Sequence, residues 1–523
     1  MKKLMTYIAA CSMALSMNSC LDLEPTSEIT DANYWKSADQ FDAFNTGLKA
    51  QFRSYGYIFE EWGELRSDIY GGTPFSGEAP SAERIWNNTI DAANPGISNY
   101  GGVYTAINQI NLMIDKANES SVLTEAQKGK YLGAAYGMRA YMYFHLLRSY
   151  GDVVLHTVHT EGSTLDLNNL SKAQSPATDV MTQIKEDIEN SEKAYNDNYS
   201  FTDGRTSWSL AATKVLKGDV YLWSGKQMGG GTADYQTAKQ AFMDVDNADV
   251  ALQTDYANVF SFDNKENSEI IFAIYNGENE TALWGGSYSG NYVLNSAVIS
   301  AYQMYDYSSD DFVALNRSSY RNNDGRNFVS VNKDMFDDEE ALSRVYNEGD
   351  KRYQATYVEV YGKDAVNPPY MGLLCNKYHG TMLSGGSKTS WYDDQPIYRY
   401  ADAILGLAEA KVLLGEDPAE EINKIRERAY GKTKFDANRS TLAYPNDHMD
   451  NQFVGSDTDP VEAVLKERLR EFAFEGKRWY DIRLMDKATK YSSAKANRLL
   501  WPIDENALGE NSKLHQTPGY EIQ

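Results

Sequence analysis

Three glutamates near the C-terminus have the type and spacing that first suggest chemistry. Glu467, Glu471 and Glu475 recur at four-residue intervals in ERLREFAFEGKRWYDIRL, a spacing that places side chains on one face of a helix. They could act as the acid and base of a glycoside hydrolase or form structural ion pairs. A hydrolase needs two carboxyls facing each other across a sugar, about 5 Å or about 6.5–9.5 Å apart, whereas acids in a row on one helix do not face each other.

The ion-pair interpretation has suitable partners on neighbouring helices. Arginine forms bidentate pairs with carboxylates, and the candidate arginines are Arg399, Arg426, Arg428, Arg468 and Arg478. We therefore predict that the acidic row is structural and that the chain has no catalytic residue.

Other reactive residue types are sparse. His156 and His159 follow a VVL run that predicts extended backbone, in which residues i and i+3 point to opposite faces, and no further metal ligand is close. Residues 322–327 (NNDGRN) lack an acid at the first position of a calcium loop, so a hairpin turn is favoured. Cys375 has no flanking base and is predicted to be buried and inert. We predict neither a metal nor a cofactor.

Composition limits the possible partners. The chain has 523 residues, a formal net charge of −24, and 38 tyrosines with 9 tryptophans and 18 phenylalanines. A field of that sign argues against nucleic acid as a partner. Aromatic rings with a polar edge suit wet binding surfaces as well as cores.

The N-terminus has the features of a signal peptide. Lys2 and Lys3 precede an apolar stretch at about 4–15, which is shorter than the roughly 20 residues that span a bilayer. We predict that residues 1–19 are a secretory signal.

Cys20 follows the small residue Ser19, and this junction resembles a bacterial lipoprotein signal, in which the cysteine is lipidated and becomes the first mature residue. An ordinary signal followed by a coincidental cysteine is the alternative. Asp22 and Glu24 directly after the cysteine resemble the surface-export signal of Bacteroidetes lipoproteins. That resemblance implies an outer-membrane protein at the cell surface.

Helical periodicity recurs along the rest of the chain. The predicted helices are 31–52 with Asp39 as N-cap, about 100–118, 125–150, 178–195, 209–226, 235–245, 398–414, 419–430, and 459–476 with Asp459 as N-cap. Helix pairs of roughly 34–40 residues are typical of tetratricopeptide-like repeats. We predict a mostly α protein with about four such pairs.

The helical blocks at about 98–248 and 395–480 are separated by segments of another character. Residues 53–97 and 255–394 are rich in Gly, Asn, Ser and aromatics, with short β-like runs such as 269–275. We predict that these two segments form an irregular, loop-rich ligand lobe within one domain, 20–523.

Several runs together resemble the SusD/RagB family of Bacteroidetes glycan-binding lipoproteins. These runs are RAYMYFHLLRSYGDVVL at 139–155, IYRYADAILGLAEAKVLLG at 397–415, INKIRERAYG at 422–431, the acidic run at 467–484, and WPID with LHQTPGY at 501–520, where Asp504 and Thr517 depart from the family pattern. The resemblance implies a tetratricopeptide-like scaffold bearing a ligand lobe. It also implies that the partner is a TonB-dependent (SusC-like) outer-membrane transporter, over which the lipoprotein sits as a lid and presents oligosaccharides.

Aromatic and polar residues in the irregular segments are the candidate ligand contacts, because sugar rings stack on flat aromatic faces and their hydroxyls need directed hydrogen bonds. The candidates are Trp62, Arg66, Asp68, Tyr70, Trp86 and Asn87 in the first segment, and Trp284, Tyr288, Asn291, Tyr292 and Trp391 in the second. We expect at least two of the rings to touch ligand, because the family's site is formed by loops from these two regions.

The functional prediction is a non-catalytic oligosaccharide-binding lipoprotein. The alternatives are a glycan hydrolase that uses the C-terminal acids and a helical-repeat scaffold without a small ligand. Whether the glycan is neutral or acidic stays open, because one local arginine such as Arg66 could outweigh a distant net charge.

Overall fold

The structure is a computed structural model that describes most of the chain. The described residues are 34–97, 101–160, 170–278, 292–316, 325, 327–335, 345–364, 366–378, 380 and 392–520. Helices dominate them and the strands are short, so the prediction of a mostly α fold is confirmed.

The helices and strands run in this order. The α-helices are α1 (Ala38–Glu64), α2 (Glu83–Trp86), α3 (Val103–Glu119), α4 (Glu125–Tyr150), α5 (Ala177–Tyr195), α6 (Leu210–Gln227), α7 (Gly231–Asp244), α8 (Ser296–Ile299), α9 (Lys351–Thr356), α10 (Tyr400–Leu414), α11 (Ala419–Tyr430), α12 (Lys432–Ala437), α13 (Arg439–Leu442), α14 (Pro460–Phe472), α15 (Arg478–Leu484), α16 (Ala488–Tyr491) and α17 (Glu505–Glu510). The strands are β1 (Tyr70–Gly71), β2 (Ile270–Ile274), β3 (Tyr302–Asp306), β4 (Asp311–Ala314), β5 (Ser330–Val331), β6 (Tyr357–Gly362), β7 (Tyr370–Cys375) and β8 (Gln395–Arg399).

Successive helices pack against one another to form the helical frame. Helix α3 packs on α4, α4 on α5, α6 on α7, and α10 on α7, α11 and α14. The bounds predicted for α4 and α11 are those observed. Thr124 caps α4, because its side chain accepts from the Gln127 N–H, and the Gln127 side chain in turn accepts from the Thr124 N–H.

Helix α1 is longer than its sequence suggested. It starts after Ser37, which forms a capping box with Gln40, so Asp39 lies in the first turn rather than at the N-cap. It also continues twelve residues past the predicted end, into a segment expected to be irregular. Buried Phe59 and Trp62 extend its apolar face. The packing of these side chains along one face stabilises the added turns, and this outweighs the low helix propensity of the glycines within the helix.

The last long helix, predicted to reach Gly476, ends earlier. Asp459 is its N-cap as predicted, accepting from the Val461 N–H at 2.9 Å. The helix stops at Phe472, and Phe474 and Gly476 have φ angles of +65° and +71°. The chain therefore turns before α15.

Three small antiparallel sheets accompany the helices. Strand β1 pairs with β5, β2 pairs with β8, and a four-stranded sheet has the order β4-β3-β6-β7. The strand predicted at 269–275 is β2, which is buried at all five positions. In the part of the chain that the structure describes, no helix is both long and apolar enough to cross a bilayer.

Candidate functional site

The acidic row is buried among cations, as predicted. Glu467 binds Arg352 at 2.7 Å and Arg426 at 2.8 Å. Glu471 binds Arg352 at 3.1 Å and Arg399 at 2.6 Å, and its other contact is an ion pair with Arg428. Glu467 and Glu471 are inaccessible to solvent.

Arg399 is the centre of this cluster. Its Nη1 atom lies 2.7 Å from Glu269 and 2.6 Å from Glu471, and its Nε atom lies 2.8 Å from Glu475. Glu475 also binds Lys377 at 2.7 Å. Because one guanidinium compensates three buried carboxylates, the cluster depends on it more than on any single acid.

The protonation of these acids follows from their partners. Burial alone would raise the pKa of Glu475, but Arg399 and Lys377 outweigh burial and lower it to about 2. Arginines likewise overcome burial to lower the pKa values of Glu467 and Glu471. A general acid needs a raised pKa. The row therefore consists of ionised, fully paired carboxylates, and the prediction of structural ion pairing is confirmed.

Two predicted partners of the row bind other acids. Arg468 pairs with Glu409 at 3.0 Å and with Asp481 at 2.7 Å, and Arg478 pairs with Asp68 at 2.8 Å. Arg468 follows Glu467 directly, so its side chain leaves another face of α14. Arg478 lies beyond the turn that ends α14.

Most candidate ligand contacts of the first segment lie in the core. The side chains of Trp62, Arg66, Asp68, Tyr70 and Trp86 are at most 7% exposed. Asn87 alone among these candidates is solvent-exposed. In this conformation the five buried side chains pack the interior and offer no surface to a sugar.

Arg66 illustrates why burial removes these side chains from solvent. Its Nη1 atom donates to the carbonyl of Leu500 at 2.6 Å, and its Nε atom donates to Asn88 Oδ1 at 2.8 Å. The guanidinium also lies 4.6 Å from the Trp479 ring. Arg66 thus connects the C-terminal segment to the chain that follows α1, and it is not available to an acidic sugar.

Only one candidate ligand contact of the second segment lies within the described residues. Tyr292 is buried, and its ring stacks on Tyr70 at 5.5 Å. Trp284, Tyr288, Asn291 and Trp391 lie outside the described residues.

The described ends of these two segments meet. Segment 279–291 follows β2 and segment 381–391 precedes β8, and these strands pair antiparallel with Ile274 opposite Gln395. Beyond the pair, the Asn276 side chain donates to the carbonyl of Asp393 at 3.0 Å, and its N–H donates to Asp394 Oδ1 at 3.0 Å. Both segments therefore leave the described structure from one end of the β2–β8 pair.

Asp393, at this end, should make stability depend on pH. Burial raises the pKa of its carboxyl from 3.8 to about 7, against its backbone hydrogen bonds and Lys265. The folded state therefore binds this proton more tightly than the unfolded state does. The stability that the protonated carboxyl contributes is fully present below pH 3.8 and is lost as the pH rises to about 7. As the pH rises from 4 to 7, the free energy of unfolding of Asp393→Asn should therefore increase by about 2–4 kcal/mol relative to that of the native chain.

Denaturant unfolding at several pH values measures this difference. Asp364→Asn is the control, because Asp364 is exposed and its pKa is lowered by backbone N–H groups. The control difference should stay constant between pH 5 and 7. A constant difference for Asp393→Asn as well would mean that Asp393 is ionised throughout.

Sequence reasoning missed an aromatic surface on the four-stranded sheet. We call it the tyrosine face, and it consists of Tyr305, Tyr307, Phe312, Tyr361 and Tyr370. Consecutive rings meet edge to face at centroid distances of 5.0–5.8 Å, in the order Tyr307, Tyr305, Phe312, Tyr361, Tyr370. Tyr307 is 44% exposed and the other four are half-buried. Aromatic residues two apart, at 305 and 307, were the available signal.

One carboxylate orders this face. Glu359 is 7% exposed and accepts hydrogen bonds from the hydroxyls of Tyr307, Tyr353 and Tyr361. The Tyr305 hydroxyl donates to Asp310 at the rim. Three of the five rings, those of Tyr305, Tyr307 and Tyr361, are thus held in place by hydroxyls that bind carboxylates. Asp306 and Asp311 add further acceptors beside them.

The remaining predicted residues have structural surroundings. Residues 156–159 belong to no helix or strand, and both imidazoles reach Asn108: His156 Nε2 lies 3.1 Å from its Oδ1 atom, and His159 Nδ1 lies 3.3 Å from its carbonyl. Cys375 is buried as predicted, and burial raises the pKa of its thiol to about 12. Within the described ranges, no three acidic, His or Cys side chains group closely enough to hold a metal ion. Only residues 325 and 327 of the segment 322–327 are described.

Models of two protein families match this chain. One is described as the SusD family and matches residues 243–498. The other is described as starch-binding and associating with the outer membrane, and it matches residues 20–216.

Individual relatives agree over nearly the whole length. The SusD-like protein P38 of Formosa agariphila is 25% identical, and the alignment covers 98% of each chain. The structure of B. fragilis NanU is 50% identical with a TM-score of 0.88, over 96% of this chain and all of that one. A SusD superfamily protein from Bacteroides vulgatus is also 50% identical, with a TM-score of 0.86, over 93% of this chain and all of that one.

Proposed function

The chain belongs to the SusD family, and on this basis we propose that it is a non-catalytic, surface-exposed outer-membrane lipoprotein that binds an oligosaccharide. We further propose that it delivers the oligosaccharide to a TonB-dependent transporter and is anchored through Cys20. The starch-binding, outer-membrane description of the second matching family supports this proposal.

The tyrosine face is the observation that carries glycan binding. Five rings form a continuous row across four strands, and its polar groups are acceptors and hydroxyls held by Glu359 and Asp310. Sugar C–H faces pack on such rings, and sugar hydroxyls donate to carboxylates. Because the rings are already fixed, little conformational entropy is lost on binding.

Trp284, Tyr288, Asn291 and Trp391 remain proposed contacts. Their segments leave the described structure from one end of the β2–β8 pair, where Asn276 bridges to Asp393 and Asp394. Asn87 remains a proposed contact as well, because its side chain is exposed.

The hydrolase alternative has little support from the acids that suggested it. Glu467, Glu471 and Glu475 are ionised and paired with cations. A small cavity beside Glu475, with a volume of about 60 Å³, is also lined by Glu60 and Glu409. Ligand sites are commonly about 300–1,000 Å³, so this cavity is far too small for an oligosaccharide.

Removing rings from the tyrosine face should weaken glycan binding. We expect Tyr305→Ala with Tyr307→Ala to cost about 2 kcal/mol, at about 1 kcal/mol per ring, which is a roughly 30-fold rise in Kd. A glycan screen identifies the ligand, and titration calorimetry then measures the affinity. Tyr221→Ala is the matched control, because it removes a half-buried tyrosine from α6.

The results of these experiments test the location of the site and the non-catalytic function separately. Unchanged affinity in the double variant, together with loss of binding in Trp284→Ala with Trp391→Ala, would move the site to the segments that contain these tryptophans. New reducing ends released from the bound glycan by the native protein would contradict the non-catalytic proposal.

A further inference from the structure

An open cleft of about 1300 Å³ lies on the helical side of the molecule. Its walls come from α1, the first half of α4, the connection from α5 to α6, and the end of β2. The charged side chains that line it are five cations, Lys49, Arg53, Lys128, Lys130 and Lys193, and two acids, Glu125 and Asp203. Two of these cations are already paired: Lys128 with Glu125 at 3.8 Å, and Lys130 with Asp203 at 3.0 Å and Asp42 at 3.2 Å. The cleft still has an excess of positive charge, in a chain whose net charge is −24.

Lys49 shows that this charge is not fully compensated. Its ammonium group is half-buried and donates to Ser207 Oγ at 2.5 Å. Among the described residues, no carboxylate lies within 4.0 Å of its Nζ atom, and the same holds for Lys193, which is exposed. A half-buried cation without an anionic partner is costly, and a bound anion would relieve that cost.

The described chain begins beside this cleft. Trp35 lies 4.8 Å from the rings of both Phe41 and Phe44, so the chain before α1 runs back along its first two turns. Asn45, the next residue after Phe44, lines the cleft. Whatever precedes Tyr34 therefore starts close to the rim.

The preceding residues carry the opposite charge. Residues 21–33 (LDLEPTSEITDAN) contain four carboxylates, at Asp22, Glu24, Glu28 and Asp31, and neither Lys nor Arg. Thirteen residues can span about 43–47 Å when extended. The rise of α1 from Phe44 to Arg53 is only about 14 Å, so the segment is long enough to reach every part of the cleft.

We propose that the acidic segment 21–33 binds in the cationic cleft of its own chain. Its carboxylates pair with Lys49 and Lys193, and the cleft's asparagines bond its backbone. The contact holds the cleft-bearing side of the protein close to Cys20, and so sets the orientation of the molecule relative to whatever holds that residue. It is independent of glycan binding.

A zero-length carbodiimide cross-linker tests the contact in purified protein that retains residues 21–33, because it joins carboxylates only to amines in direct contact. Mass spectrometry should find the acids of the segment linked to Lys49 or Lys193. The yield should fall roughly tenfold in about 1 M salt, where the Debye length is about 3 Å. Lys495 is exposed and lies outside the cleft, so it serves as the control amine.

A second measurement does not depend on cross-linking. Neutralising the segment with Asp22→Asn, Glu24→Gln, Glu28→Gln and Asp31→Asn should raise the acetylation rate of Lys49 severalfold and leave that of Lys495 unchanged. Cross-links to Lys495 as frequent as those to the cleft would overturn the proposal. An unchanged Lys49 rate, or cross-links only between two molecules, would overturn it as well.

Discussion

Replacing Arg399 by methionine should destabilise the protein by about 3–5 kcal/mol. The guanidinium is inaccessible to solvent and lies 2.6–2.8 Å from Glu269, Glu471 and Glu475. Methionine fills similar space but leaves these carboxylates short of one positive charge. Denaturant unfolding, followed by circular dichroism, measures the loss.

The matched control is an exposed arginine with a comparable partner. Arg439 is 53% exposed and lies 2.9 Å from Asp436. Because exposed pairs contribute about 0–1 kcal/mol, Arg439→Met should stay within about 1 kcal/mol of the native chain. If Arg399→Met cost no more than this control, the buried cluster would not depend on its central cation.

The charged cluster joins distant parts of the chain. Arg352 comes from α9 in the central region, Arg399 from the end of β8, and Arg428 from α11, and all three contact Glu471 on α14. A buried ion pair is not in itself strong evidence of stability, because desolvation offsets the attraction. What the cluster provides is a geometry in which each element must be in place before the charges are compensated.

Local signals account for the parts of the fold that were predicted. Helix α4 starts at a capping box at Thr124 and ends at Gly151, and α14 starts after Asp459. Such signals involve residues within four positions of one another, so the sequence alone exposes them. The end of α14 does not follow from them, because the turn there is stabilised by Glu64, which accepts from the N–H groups of Phe474 and Gly476 at 2.7 and 2.6 Å.

The candidate site was harder to predict, because exposure depends on distant partners. Asp68 pairs with Arg478, which follows it by 410 residues, and Tyr70 stacks on Tyr292. Composition around Trp62 and Asp68 suggested a wet surface, yet both side chains are buried, Trp62 on α1 and Asp68 against Arg478. A mixture of aromatic and polar residues therefore predicts contact with a partner without specifying whether that partner is a sugar or the rest of the chain.

The tyrosine face is a candidate site that the sequence did not reveal, whereas the residues around Trp62 were predicted to be a site and are buried. Four of its rings come from four different strands, and Tyr307 follows β3 directly. Only the pairing of β4, β3 and β6 brings Phe312 beside Tyr305 and Tyr361. Alternation at 305 and 307 marks one strand face, but it does not show which strand will lie next to it.

Gly63→Ala should cost about 3 kcal/mol, because α1 meets the turn after α14 at this glycine. A Cβ atom on Gly63 would lie 1.8 Å from the carbonyl oxygen of Gly476 and 2.9 Å from the Tyr480 ring. The turn cannot move away freely, since Glu64 holds its N–H groups. Thermal or denaturant unfolding of the purified variant measures the effect.

Gly47 on the same helix provides the control, because no atom lies within 4 Å of the Cβ position there. Gly47→Ala should stabilise the protein by about 0.5–1 kcal/mol through helix propensity. Opposite signs from the same substitution on one helix would show that close approach, and not backbone flexibility, requires glycine at position 63. If Gly63→Ala also stabilised the protein, the turn would be free to shift. The contact between α1 and the acidic run would then be looser than these distances indicate.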